Sequence, residues 1–413
     1  MAARPAREPR LLTEERLVVC GLVAATQMSW GSVVPVLPHY VEQLGAGEVA
    51  LGAIIAAFGV GRLVANIPAG LLVRRLPTWP LLLVCVAVVL AGTLAMGALG
   101  SLPWVLAIRF VTGAFAGAAI TVGQLIVLGG SRAETRGRVT SMIQSIQLAG
   151  AALGPALGGI VMSAWGVLPA FVAASSGCVV FLVWAIARDR PLRAMIADRE
   201  RDAVRAYETE AALPRPRAGA AGMRRAAVVL GIVAANLTGF AIFSARFGGQ
   251  QSLVPVMSVT AAGVEPWLLG TGIGVSTILS LAVLPGFGVL ADRGGRRWLV
   301  SGALAAAALL TMLFAVVDEP VPFVLVLIVT GVLAAIVSGL PLADIADLVP
   351  PRRLPLATGI FRTSGDVGTI VAPLALALVL ERFGPTAAVT ALAAVLAFGA
   401  VCALLAPRRG PVR

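Results

Sequence analysis

Twelve times along its 413 residues this chain runs for roughly twenty positions with almost no charge. A helix rises about 1.5 Å per residue, so about twenty apolar residues cross the ~30 Å hydrocarbon core of a bilayer. Glycine, proline and charge clusters place the first six runs at roughly 17–38, 49–72, 81–99, 104–128, 139–162 and 168–187. The second six lie at roughly 226–248, 267–290, 298–317, 321–343, 356–380 and 386–406. Only 13% of the residues are charged and 59% are hydrophobic, against about 25% charged in an average soluble domain. Too little polar surface exists to cover such a chain in water, so the excess faces lipid. Lipid cannot satisfy backbone groups, which leaves helices as the natural form of each run. The expected fold is all-α and integral to the membrane, with twelve transmembrane helices.

The runs fall into two sets of six. Residues 1–187 make the first half, 188–225 an arginine-rich linker with one short surface helix expected around 192–211, and 226–413 the second half. SVVPVL at 32–37 recurs as SLVPVM at 252–257, and the step from Pro35 to Gly70 (35 residues) is close to that from Pro255 to Gly288 (33 residues). This is the pattern of two pseudo-symmetric six-helix halves, an arrangement that secondary transporters use with the binding site between the halves.

All 32 cationic residues are arginine. Four lie in the N-terminal tail, two at 74–75, three at 132–138, ten in the linker, three at 293–297, two at 352–353 and three at 408–413. Those clusters share one side of the membrane. By the positive-inside rule that side is cytoplasmic, and with it both termini, in a multi-pass protein of the cell (cytoplasmic) membrane. The formal charge of +12 is explained by this topology, so no nucleic-acid partner is expected. The four cysteines sit far apart in apolar runs and read as small buried hydrophobes. No metal-ligating set and no nucleotide-binding P-loop occurs. The reading is therefore a protein without cofactor or metal, and not an enzyme.

Three motifs carry more than topology. At 288–297 stands GVLADRGGRR, at the turn between spans eight and nine, with Gly288, Asp292, Arg293, Gly295 and Arg296 in place. This resembles the loop motif of the major facilitator superfamily. The first-half counterpart, GLLVRRLPTW at 70–79, keeps Gly70 and Arg75 but has Arg74 for the acid and Pro77 for the second glycine. In span four, RFVTGAFAG (109–117) resembles a second family motif, and its Gly113 and Gly117 form a GxxxG close-packing pair. In span five, GAALGPALGG (150–159) resembles the motif of the drug/proton antiporter branch. Gly150, Gly154 and Gly158 repeat every four residues on one helix face. Pro155 removes a backbone donor there, Gly159 closes the run, and GTGIG at 270–274 offers a close-packing partner in span eight. Gly154→Leu is accordingly expected to spare insertion and to impair conformational exchange.

Ionisable residues inside the membrane are costly and point to function. Arg62 in span two and Asp366 in span eleven lie about 13 and 15 Å from the arginine-rich side by helical rise, and the resemblance places these helices together between the halves. Two readings stay open. Arg62 and Asp366 attract each other across the interface, or Arg362 neutralises Asp366 one turn away while Arg62 bonds Asn66. Asp366 is the first candidate for a proton carrier, with Asp344 and Asp347 behind it. Arg109 either serves a proton path or substrate, as the resemblance implies, or snorkels to water. His39, the only histidine, reads as interfacial. The resemblance implies a central cavity walled by spans one, four, five and seven. Its candidate lining is Gln27, Met28, Trp30, Gln124, Gln144, Gln147, Asn236, Phe240 and Phe243. Apolar walls with few charges suit a lipophilic or amphipathic substrate.

Together these features predict a monomeric secondary transporter that exports a small amphipathic molecule by alternating access in exchange for protons, its partners being that molecule, protons and the bilayer. The alternatives are an uptake symporter or uniporter, and a transport-dead receptor or scaffold.

Overall fold

A computed structural model of the chain describes residues 13–72, 75–128, 133–198, 225–291, 296–349 and 354–405. Span one is Glu14–Val33 followed by Leu37–Gln43, bent by 58°. Spans two to six are Glu48–Leu72, Thr78–Ala98, Leu102–Leu128, Ala133–Trp165 and Val167–Ala187. Span seven runs from Arg225–Ser244 through a π-helical stretch, Ala245–Leu253, into Val254–Thr260. Spans eight and nine are Pro266–Leu290 and Arg296–Thr311, and span ten is Pro320–Ile336 with the short helix Leu340–Leu348 after it. Spans eleven and twelve form the helical run Leu354–Leu405, broken at Gly384 with φ 82°. That conformation suits only glycine, and Pro385 then opens the next helix where its missing N–H is not needed. Ten helices meet the length and hydropathy for a crossing; the bent pair makes eleven and the Gly384 break makes twelve. The fold is all-α, with twelve spans in two six-helix halves.

Two boundaries differ from the sequence reading. Span five starts at Ala133, which makes it 33 residues long. Span seven does not end near 248: ARFGGQQS reads as a polar stop, but the chain carries those residues inside the span as a π-helix. The internal repeat falls on matching places. Pro35 sits in the turn that bends span one, and Pro255 at the start of the helix that resumes span seven. Neither proline has an N–H to donate, so each marks a point where the regular ladder is interrupted.

Packing within the first half is close because glycines remove side chains. The repeat Gly150, Gly154, Gly158 lies against the backbone of span one at Ala24, Met28 and Ser32. Gly61 and Gly113 likewise bring span two onto span four at Phe110 and Phe58. After span six, residues 189–198 are helical, with Leu192 and Ile196 buried and Asp189 accepting from Trp79 Nε1 at 2.8 Å. The rest of the expected linker lies outside the described residues.

Candidate functional site

The halves meet along two seams. In one, span five crosses span eight: Gly159 abuts the Pro266 backbone and Gly270, while Gly270 abuts the Pro155 carbonyl. GTGIG is thus met by Pro155 and Gly159, whereas the four-residue glycine repeat faces span one in its own half. In the other seam, span two crosses span eleven. A Cβ on Gly52 would lie 2.6 Å from the Pro373 carbonyl, and one on Gly59 3.0 Å from Thr369 Cγ2.

One turn beyond Gly59 the second seam becomes ionic. Arg62 donates to Asp366 Oδ1 from Nε at 3.1 Å and from Nη2 at 2.5 Å. The two side chains are only 17% and 6% exposed, so both have left water. Arg362 is exposed, and the ion pair that the structure records for Asp366 crosses the interface to Arg62. The Asn66 side chain lies outside the described residues. Gly117 makes room for the arginine, since a Cβ there would press on its Cγ. Breaking one partner of such a pair leaves a buried charge, at a cost of about 3–5 kcal/mol.

Arg109 does not snorkel. It is 2% exposed, with Cζ 4.4 Å from the Trp30 ring centroid and 5.6 Å from that of Phe58. Those two rings stack at 4.1 Å, and Trp30 Nε1 donates across the interface to Gln251 Oε1 at 3.0 Å. Arg109 Nε and Nη2 have no hydrogen-bond partner among the described residues.

The sequence reading did not single out Arg246, which falls two residues before the expected end of span seven near 248. The π-helical stretch keeps it inside the span. Its Cζ lies 5.9 Å from the Phe247 ring, and Arg62 Cζ lies 5.4 Å from the same ring. Among the described residues Arg246 makes no hydrogen bond and no ion pair. Phe243 runs nearly parallel to Phe247, with centroids 6.2 Å apart. The available signal was the SLVPVM repeat, which implied that span seven continues past 252.

The remaining candidates scatter. Gln27 and Gln124 are half-buried, Gln144 is exposed, and Gln147 is buried with Nε2 unpartnered among the described residues. The Met28 sulfur is the nearest neighbour of Gly177, so this side chain turns toward span six and away from the expected cavity. Asn236 Nδ2 donates to the Ile232 carbonyl at 2.8 Å. Phe240 and Phe243 pack on span eleven at Gly368 and Gly365. Asp292, Arg293 and Gly295 lie outside the described residues. Gly70 and Gly288 fall within their helices, and Arg75 is exposed. Arg296 donates to Asp344 at 3.0 Å, and His39 stands 3.9 Å from Glu42. A cavity of about 20 Å³, room for about one water, lies inside the second half near Gln250, Thr311 and Thr330 and holds no charged group.

The Major Facilitator Superfamily model matches residues 19–285 and 247–413. No curated protein sequence matches the chain. Solved structures similar to it include a peptide transporter in complex with sulfate (15% identity, 98% of this chain and 96% of that chain covered, TM-score 0.77). Others are POT family transporters in complex with a thioalcohol-conjugated peptide and with 5-aminolevulinic acid (each 13% identity, 94% and 95% covered, TM-score 0.73). At these identities the likeness is one of fold.

Proposed function

The chain belongs to the major facilitator superfamily of membrane transporters, and from that premise we propose that it exports a small amphipathic molecule in exchange for protons. The branch proposed is that of the drug/proton antiporters, on the strength of GAALGPALGG. The observation that carries the coupling is the Arg62–Asp366 pair, which joins the halves at mid-depth beside an aromatic wall. With the arginine-rich face taken as cytoplasmic, the contacts described above run from this pair toward the outer ends, where Ser163 accepts from the Trp267 amide at 3.0 Å. This supports reading the arrangement as open toward the cytoplasm.

In the proposed cycle Asp366 has two partners, Arg62 and a proton. A proton from outside reaches the carboxylate while the outer side is open and keeps it from Arg62 until the halves rock inward. Return of the carboxylate to Arg62 expels the proton inward. The test is flux in proteoliposomes under an imposed pH gradient, across a panel of amphipathic compounds. Export by antiport predicts uphill movement against the proton flow, and Asp366→Asn is expected to lose that drive while retaining counterflow. Movement with the proton flow would make the chain a symporter. No gradient-dependent flux for any compound would leave a transport-dead receptor.

A further inference from the structure

We infer that the central cavity binds a small organic monoanion, and that Arg246 is the residue that holds its charge. The inference rests on reading the chain as a transporter but not on the ion that drives it.

The argument is a charge inventory around one ring. Arg62 and Arg246 both lie over Phe247, and one carboxylate, Asp366, serves the pair. Asp366 is bonded to Arg62, and Arg246 has no hydrogen-bond or ionic partner among the described residues. A bare charge inside a span is expensive, and where one is kept it marks a ligand or ion path. Arg246 keeps more exposure than Arg109, which is 2% exposed behind Trp30, so Arg246 is the better placed of the two to meet a ligand. One reachable positive charge selects one negative charge. Two guanidinium groups on one ring repel a cation.

The surroundings define the rest of the ligand. Phe243 and Phe247 form a flat wall, with planes 10° apart, next to the guanidinium. A planar apolar body bearing a single carboxylate matches both features. The backbone is shaped for this purpose as well. Residues 245–253 are π-helical, and π turns inside α-helices are frequent at functional sites. An anionic lipid headgroup shares the chemistry but not the position. Arg246 lies fourteen residues before Thr260, the end of the span, or about 21 Å along the helix axis, beyond the headgroup layer.

The test uses the purified full chain in nanodiscs of neutral lipid and three matched probes: naphthalene-2-carboxylate, its carboxamide, and 2-naphthylmethylammonium. Calorimetry is expected to give the carboxylate about a tenfold or greater advantage over the carboxamide, as befits a hydrogen bond to a charged group. Arg246→Gln is expected to erase that advantage while leaving the carboxamide affinity in place, and Arg246→Lys to restore much of it. Equal affinities, a preference for the ammonium, an unchanged preference in Arg246→Gln, or no binding by any probe would overturn the inference. Nanodiscs made with phosphatidylglycerol provide the lipid arm: loss of the carboxylate advantage there would assign the site to lipid instead. If Arg246→Gln does not fold, the carboxylate-to-carboxamide ratio in the native chain and in Arg246→Lys decides. Binding is measured without a gradient, so a failure of proton-driven flux leaves this result untouched, and the reverse also holds.

Discussion

The two seams between the halves are built from opposite materials. At spans five and eight the contact is backbone on backbone, through Gly159, Gly270 and Pro155, with no titratable group in that contact. At spans two and eleven glycine contacts at Gly52 and Gly59 give way, one turn on, to a buried ion pair. A glycine contact has one good geometry and no chemical handle. An ion pair has a strength that a proton can change. The first seam therefore sets how the halves fit, and the second is where the proposed function has the proton act.

The largest effect that separates them is expected from Gly159→Leu, which places a branched side chain where the Pro266 backbone already lies. Flux should fall to background while the protein still inserts, as judged by a monodisperse elution profile. Gly154→Leu meets span one in the same half. In place of the impaired exchange expected from the sequence, it should therefore cost about 1–3 kcal/mol of stability, read as a lower melting temperature. If both variants behave alike, the seams are not distinct.

Next come Arg62→Ala and Asp366→Ala. Each is expected to cut gradient-driven flux by about a hundredfold, and the double variant to be little worse than either. A double-mutant cycle in flux should show about 2–3 kcal/mol of coupling, within the range for contacting residues; additivity would break the assignment. Trp30→Phe keeps the stack on Phe58 but removes the bond to Gln251. A loss of about 1 kcal/mol is expected, seen as a several-fold drop in flux. The smallest effect belongs to Arg188→Gln. Its bidentate bond to Glu14 at 2.8 and 2.9 Å is solvent-exposed, and such pairs contribute little. Flux should stay within about twofold of the parent.

Much of the frame was legible because the bilayer imposes a length. Runs of roughly twenty apolar residues gave the spans, and counting along them put Arg62 and Asp366 at matching depth, which is where the structure has them paired. What the residues alone left open was the choice between that pair and Arg362, because spacing within a helix says nothing about what the helix faces. The glycine repeat was visible, but not that Gly150, Gly154 and Gly158 turn to span one while Gly159 turns to span eight. Those two faces differ by a single residue step, about 100° of rotation. Arg246 was missed for a different reason. ARFGGQQS is as polar as a loop, and a π turn inside a membrane helix leaves no hydropathic trace.

Arg246 also exposes the protein to the membrane potential. A lone charge held at mid-depth sits in the steepest part of the transmembrane field, and a full crossing of that field is worth about 2.3 kcal/mol per 100 mV. Each tenth of the field through which the guanidinium is carried as the halves rock therefore shifts the balance of the two states by about 0.2 kcal/mol per 100 mV. The empty carrier becomes a weak voltmeter. An anion seated on Arg246 would silence it, so the loaded and unloaded halves of the cycle respond differently to the same voltage.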